Sequence, residues 1–114
     1  MPYLSITTNA ALTPEAESVL AAASSKSLAI ELGKPEAYVM VSVKSGNTVR
    51  FAGSGEPAAF LAIKSIGLPR DCNKVAHALT DIVSQQAHLP ANHIFITFTD
   101  VPPAHWGHGG ATFA

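Results

Sequence analysis

The segment Gly33-Lys34-Pro35-Glu36-Ala37-Tyr38-Val39-Met40-Val41-Ser42-Val43 joins a helix stop to a strand, and it decides how the rest of the chain is interpreted. Glycine followed closely by proline ends a helix, because glycine accepts the left-handed conformation and proline cannot continue the helical hydrogen bonds. The apolar run Tyr38–Val43 predicts a buried strand. Upstream, Thr13-Pro14 predicts a helix start, and Tyr3–Thr8 predicts a first strand. The pattern is therefore one βαβ unit.

The same pattern occurs twice. The prolines that bound the first helix, Pro14 and Pro35, recur 55 residues later as Pro69 and Pro90. Pro69 is predicted to open a second helix and Pro90 to close it, between strands at residues 58–63 and 94–98. The predicted inward face of the first helix consists of Val19, Ala23, Ser27 and Ile30, and that of the second of Cys72, Val75, Leu79, Ile82 and Gln86.

Two βαβ units side by side predict an α/β (α+β) fold, a four-stranded mixed sheet with both helices on one face. We expect one domain over residues 1–114, with repeats at about 2–52 and 57–100 and an irregular tail at 101–114. Residues 48–51 are predicted to form a short edge strand between the repeats. The strands are so apolar that the face without helices is expected to pack against other subunits.

Composition supports an oligomer and argues against several partners. Charged residues make up 13% of the chain, about half the usual share, and 47% are hydrophobic. A net charge of −1 without a basic run excludes a typical nucleic-acid binder. No apolar stretch reaches the length of a membrane span, and no signal-peptide pattern is present, so we expect a cytoplasmic protein. The single cysteine, Cys72, is expected to be a small buried residue on the second helix.

Pro2 follows Met1 directly and is a candidate catalytic base. Removal of Met1 would leave a secondary amine at the N-terminus. An apolar pocket or a nearby cation would lower the pKa of that amine, because each disfavours its charged form. The neutral amine could then accept a proton from carbon.

Four features in order resemble the macrophage migration inhibitory factor family of the tautomerase superfamily. They are Met1-Pro2, the Gly33-Lys34-Pro35 stop before the Tyr38–Met40 strand start, Ser65-Ile66-Gly67, and the terminal Thr112-Phe113-Ala114. The resemblance implies a homotrimeric barrel with active sites at the subunit boundaries. It also implies cofactor-free keto–enol tautomerase activity on phenylpyruvate-type α-keto acids and on dopachrome-like compounds, and it leaves open release without a signal peptide.

The resemblance also assigns roles to residues. Pro2 corresponds to the catalytic proline and Lys34 to the substrate-binding lysine. Ser65 and Ile66 match the segment whose backbone contacts the ligand, and Tyr38 and Phe113 match aromatic residues near the pocket.

Three positions depart from the family pattern. Phe95 and Thr97 stand where a neighbouring subunit usually contributes a tyrosine and an asparagine, and Trp106 stands where smaller residues are common. Phe95 cannot donate the hydrogen bond of the tyrosine, which affects substrate preference or rate. The third strand also lacks the CxxC of some members, so thiol oxidoreductase activity is not expected.

The chemistry of α-keto acid tautomerisation needs a base, a cation for the carboxylate and an apolar slot, which Pro2, Lys34 and the aromatic residues can supply. His105 and His108 form an HxxH pair without further ligands at the usual spacing, so they are interpreted as surface residues and no metal is expected. His77, His88 and His93 are interpreted as structural. The alternative function is a trimeric cytokine-like binding or signalling protein, with an unidentified receptor, that keeps the pocket as a relic.

Overall fold

The computed structural model describes all 114 residues and contains two helices and one four-stranded sheet. The main elements are β1 (Pro2–Thr8), α1 (Pro14–Leu32), β2 (Met40–Lys44), β3 (Ala59–Ser65), α2 (Asn73–Ala87) and β4 (Ile94–Asp100). Three short 3₁₀ helices cover Glu36–Tyr38, Ala91–His93 and Pro103–His105. Neither α-helix combines the length and apolar character needed to cross a membrane.

The strand order β2-β1-β3-β4 confirms the duplicated βαβ architecture. β1 runs parallel to β2, and β3 runs parallel to β4, as two right-handed crossovers require. The two units meet where β1 pairs antiparallel with β3, from Pro2 opposite Ser65 to Thr8 opposite Ala59. The first residue after Met1 therefore begins one of the two central strands.

Alternate strand residues face the helices and form the core. Leu4 and Ile6 of β1 and Leu61 and Ile63 of β3 are essentially inaccessible to solvent, because successive strand residues point to opposite faces. Helix residues Leu20, Leu28, Val75, Leu79 and Val83 complete this core. Burial of these side chains removes apolar surface from water and holds both helices on one face of the sheet.

The ends of α1 are confirmed, but its predicted inward face is wrong. Thr13 caps the helix by accepting a hydrogen bond from the Ala16 N–H at 3.1 Å, and Gly33 ends it at a φ of 63°. The core-facing residues are Leu20, Ser24 and Leu28, whereas the predicted residues Val19 and Ile30 are 53% and 69% exposed. Both sets follow helical spacing. The leucines face inward because they bury more apolar area than the alanine and serine of the predicted face.

The second helix begins later than predicted. Pro69 lies ahead of α2, which starts at Asn73 after Asp71 accepts a hydrogen bond from the Asn73 N–H at 2.9 Å. Cys72 is the half-buried N-cap residue rather than a buried residue within the helix. Val75 and Leu79 face the core as predicted, but Gln86 is exposed, and the face continues through Val83 and Ala87.

Side-chain hydrogen bonds explain why residues 48–51 do not form the predicted strand. The Asn9 side-chain amide donates to the carbonyls of Val49, Gly55 and Glu56 at 3.0–3.3 Å and accepts from the Ala58 N–H. These bonds satisfy backbone groups that a strand partner would otherwise need to satisfy. Only an isolated bridge between Phe51 and Ser54 remains.

Two further predictions are corrected near the edges of the fold. Tyr38 belongs to a 3₁₀ helix, and β2 starts at Met40. The tail is ordered into a hairpin of β5 (Gly107–His108) and β6 (Ala111–Thr112). Its turn residues Gly109 and Gly110 both have positive φ, at 62° and 96°, as a two-residue hairpin turn demands.

The sheet face opposite the helices carries no other element over most of its area. Its exposed apolar side chains include Met40, Phe60 and Phe95. The prediction of an apolar face holds only in part, because Ser and Thr side chains and two lysines, Lys44 and Lys64, alternate with them. We refer to this surface as the open face.

The corrected orientation of α1 yields a stability prediction. Replacing Leu20 with Ala leaves a cavity in the core and is expected to lower the free energy of unfolding by about 2–5 kcal/mol. Replacing the adjacent Val19 with Ala is expected to change it by less than about 0.5 kcal/mol. Denaturant unfolding at one fixed protein concentration measures both, and the reverse order of the two losses would contradict this orientation.

Candidate active site at the start of β1

The beginning of β1 places Pro2 in the interior of the fold. Pro2 is fully buried, and Met1 covers it at the surface. The residue opposite Pro2 on β3 is Ser65, whose side-chain hydroxyl is buried without a hydrogen-bond partner. Pairing in the sheet therefore fixes the nitrogen of Pro2 relative to the end of β3.

A cleft of about 830 Å³ opens beside Pro2. Its floor is the end of the open face, and its wall is formed by the 3₁₀ segment at Tyr38 and by the tail before and within β5. The lining residues are Met1, Pro2, Tyr3, Ala37, Tyr38, Val39, Met40, Ser42, Lys64, Thr99, Val101, His105, Trp106, Gly107 and His108. The cleft is thus large enough for a small organic substrate.

Lys34 lies next to this cleft rather than on its lining. Its backbone N–H donates to the Ala29 carbonyl at the end of α1, and its Nζ donates to the Ile66 carbonyl at 2.8 Å. The following residue, Gly67, donates its N–H to Asp100 Oδ1 at 3.0 Å. The end of α1, the segment after β3 and the end of β4 therefore meet at one place, and Lys34 and Ile66, which the resemblance assigns to the site, are in contact there.

The surroundings of the N-terminus favour a neutral amine. Burial lowers the pKa of the Met1 amino group, and the positive charge of Lys34 lowers this pKa further. Both effects disfavour the protonated form.

The aromatic residues assigned to the site occupy two different positions. Tyr38 and Trp106 line the cleft. Phe113 does not line it. Its backbone N–H donates to the Pro103 and Trp106 carbonyls, and its ring stacks on His108 with centroids 6.0 Å apart. Phe113 therefore supports the cleft wall from behind.

Phe95 and Thr97 do not reach the cleft of their own chain. Phe95 pairs with Phe60 on β3, five residues before Ser65, so it lies about 17 Å along the sheet from Pro2. Its ring packs against Phe51 and Phe60 at centroid distances of 5.3 and 6.5 Å. Thr97 is exposed on the same open face. Within one chain, neither residue can contact a substrate at Pro2.

Sequence reasoning missed several polar residues of the cleft. Tyr3 and Lys64 face each other across β1 and β3, and the Tyr3 hydroxyl lies 2.7 Å from Ser42 Oγ. The hydrogen bond with Ser42 is the main cause of a lowered pKa at Tyr3, and a hydrogen bond with Ser5 and the charges of Lys44 and Lys64 contribute in the same direction. Strand alternation placed these residues on the open face, but only the register of β1 against β3 brings them together.

The histidines divide between the cleft and the rest of the fold. His105 and His108, interpreted from the sequence as surface residues, are exposed and line the cleft. No group of three or more His, Cys, Asp or Glu side chains is arranged to hold a metal ion. His93 Nδ1 lies 2.9 Å from the Pro57 carbonyl, and His88 caps α2 with a φ of 58°.

The fold and this cleft define the class of protein. The sequence matches the family profile described as macrophage migration inhibitory factor (MIF) over residues 1–114. The chain belongs to the macrophage migration inhibitory factor family.

Similar proteins support this membership along the whole chain. A macrophage migration inhibitory factor homolog of Brugia malayi is 35% identical over 115 residues, which is 99% of each protein. The macrophage migration inhibitory factor of Xenopus tropicalis is 32% identical over the full length of both. The crystal structure of a homologue from Prochlorococcus marinus has a TM-score of 0.90 at 37% identity, covering 98% of this chain and 99% of that one.

Proposed function

We propose that the protein, once Met1 has been removed, is a cofactor-free keto–enol tautomerase for phenylpyruvate-type α-keto acids and dopachrome-like compounds. The observation that carries this proposal is the position of Pro2, which is fully buried beside an open cleft and close to Lys34. The amine of Pro2 is the base. It accepts a proton from the carbon next to the keto group, the electrons of the broken C–H bond form the C=C bond, and the C=O π electrons move to the oxygen. That oxygen then takes a proton from the protonated amine or from water to give the enol.

Removal of Met1 is required by the chemistry of the nitrogen. While Met1 is attached, the Pro2 nitrogen is an amide whose lone pair is delocalised into the carbonyl group. Such a nitrogen is not a base. After removal, it is a secondary amine in a buried position, where its neutral form is favoured.

Lys34 binds the carboxylate of the substrate. Its ammonium group has three N–H donors, of which one binds the Ile66 carbonyl at 2.8 Å. The remaining donors are available to a carboxylate next to Ser65 and Ile66. The charge of Lys34 thus binds substrate and also holds down the pKa of the neighbouring amine.

We also propose that three copies assemble so that the part of the open face around Phe60 and Phe95, away from the cleft, is covered. Phe60 and Phe95 are 44% and 58% exposed on this face, and these aromatic rings would be desolvated in an assembly. Phe95 and Thr97, which cannot reach their own cleft, would then serve the cleft of a neighbouring subunit. Such a site lacks the tyrosine hydroxyl that the family resemblance implies at position 95.

The state of the N-terminus is expected to control activity. Preparations enriched in Met1-retained or processed protein should tautomerise phenylpyruvate in proportion to the processed fraction. Intact mass spectrometry and an enolisation assay on the same samples measure this. Full activity in wholly Met1-retained protein would rule out Pro2 as the base, and a processed but inactive protein would favour the binding or signalling alternative.

Replacing Lys34 with Ala is expected to have two effects. KM for phenylpyruvate should rise by about tenfold, because a hydrogen-bonded ion pair with the carboxylate is lost. Loss of the positive charge should also raise the pKa of the amine, so the acid limb of the pH–kcat/KM profile should move to higher pH. Replacing the exposed Lys26 of α1 with Ala is the control, and identical profiles for both variants would contradict the role of Lys34.

The proposed assembly predicts a particle of about 35 kDa, three times the 11.8 kDa of one chain. Light scattering at micromolar concentration measures this mass. Because Phe95 is exposed on the open face near the start of the edge strand β4, replacing it with Lys should reduce the mass, whereas replacing the exposed Val19 of α1 with Lys should not. A stable monomer of the unmodified protein would contradict the assembly.

A further inference from the structure

The cleft is lined by one lysine and two histidines but by no acidic side chain. These residues are Lys64, His105 and His108. The ion pair found in the structure joins Lys74 and Glu31 on the two helices, so Lys64 has no acidic partner. A cationic cleft without carboxylates favours ligands that bring negative charge.

The strand register explains why Lys64 is free to bind a ligand. Lys64 lies on β3 between Tyr3 of β1 and Thr99 of β4, and its side chain is exposed on the open face. Asp100 follows Thr99 on β4. Its side chain points to the opposite face of the sheet, where it accepts a hydrogen bond from the Gly67 N–H. It therefore cannot neutralise Lys64.

Hydroxyl groups stand beside this ammonium group. Tyr3 is the direct cross-strand neighbour of Lys64, and its hydroxyl is held 2.7 Å from Ser42 Oγ. The floor of the cleft thus combines one cation with two hydroxyls. This combination is suited to a carboxylate or phosphate group, which accepts several hydrogen bonds at once.

Two lysines flank the start of β1 from opposite sides. Lys34 follows α1 and approaches from the helix side, where it contacts the Ile66 carbonyl. Lys64 projects from the open face into the cleft. The start of β1 therefore has a lysine on each side of the sheet.

We propose that Lys64, supported by the hydroxyls of Tyr3 and Ser42, forms a second anion-binding subsite, and that the preferred substrates are keto acids with a further acidic group at their distal end. The statement about substrates rests on the proposed tautomerase function, whereas anion binding at the subsite does not depend on catalysis. A cleft with this subsite binds a ligand with a charged distal group, whereas a cleft without it binds only a ligand with an uncharged ring.

Binding can be measured without catalysis because Trp106 is the single tryptophan of the chain and lines the cleft. Its fluorescence should report titration of processed protein with phenylacetate and with 4-carboxyphenylacetate, which differ by one carboxylate. We expect the dianion to bind about three- to tenfold more tightly at low ionic strength, as one solvent-accessible ion pair permits. This advantage should decrease with added salt.

Two lysine variants show whether Lys64 causes the preference. Lys64→Met should abolish the advantage of the dianion while leaving phenylacetate binding nearly unchanged. Lys44→Met removes a lysine from the same face outside the cleft lining and should keep the advantage. Equal affinities in the unmodified protein, or a preference that survives Lys64→Met, would overturn the inference.

Turnover separates this inference from the proposed function. The ratio of kcat/KM for 4-carboxyphenylpyruvate to that for phenylpyruvate should exceed one and fall in Lys64→Met. If neither compound reacts but the dianion still binds more tightly through Lys64, the tautomerase proposal fails and the subsite stands. If both react without any Lys64-dependent preference, the subsite is wrong and the tautomerase proposal stands.

Discussion

The pairing of β1 between β2 and β3 is the constraint on which the rest of the structure depends. Because this strand begins at Pro2, the sheet carries the start of the chain into the interior instead of leaving it in solvent. The Pro2 nitrogen is then held by seven residues of cross-strand pairing with β3. A nitrogen in a frayed terminus would have an ordinary pKa and no fixed direction. Rigidity and burial thus come from one structural feature.

Local signals were sufficient for most of the architecture. Proline and glycine residues predicted the limits of α1 correctly, because capping by Thr13 and the left-handed conformation of Gly33 depend only on adjacent residues. The repeat spacing predicted two βαβ units. Each crossover joins two parallel strands, and the two units pair side by side to form the mixed sheet. The prediction of the inward face of α1 was wrong because the helix is rich in alanine and serine, and two sets of its residues have helical spacing. The strand predicted at residues 48–51 does not form because the side chain of Asn9, about 40 residues away, binds the backbone there.

The sequence assigned site residues through the family resemblance, and it missed residues that only the pairing of distant strands brings together. The family resemblance assigned Pro2, Lys34 and Ile66, and the structure brings Lys34 to the Ile66 carbonyl. It does not bring Phe95 to the same cleft, since five residues of strand separate the two places. Lys64 and Tyr3 were missed because only the cross-strand register makes them neighbours.

The most direct test of the central claim is a ¹⁵N NMR titration of the Pro2 nitrogen in fully processed protein, beside an unfolded peptide with the same first residues. Burial and Lys34 both lower the pKa of the Met1 amino group. If the neighbouring Pro2 amine has the same surroundings after processing, it should titrate below the peptide amine. The neutral, basic form would then be abundant near neutral pH. A Pro2 pKa equal to or above that of the peptide would contradict the account of Pro2 as an activated base.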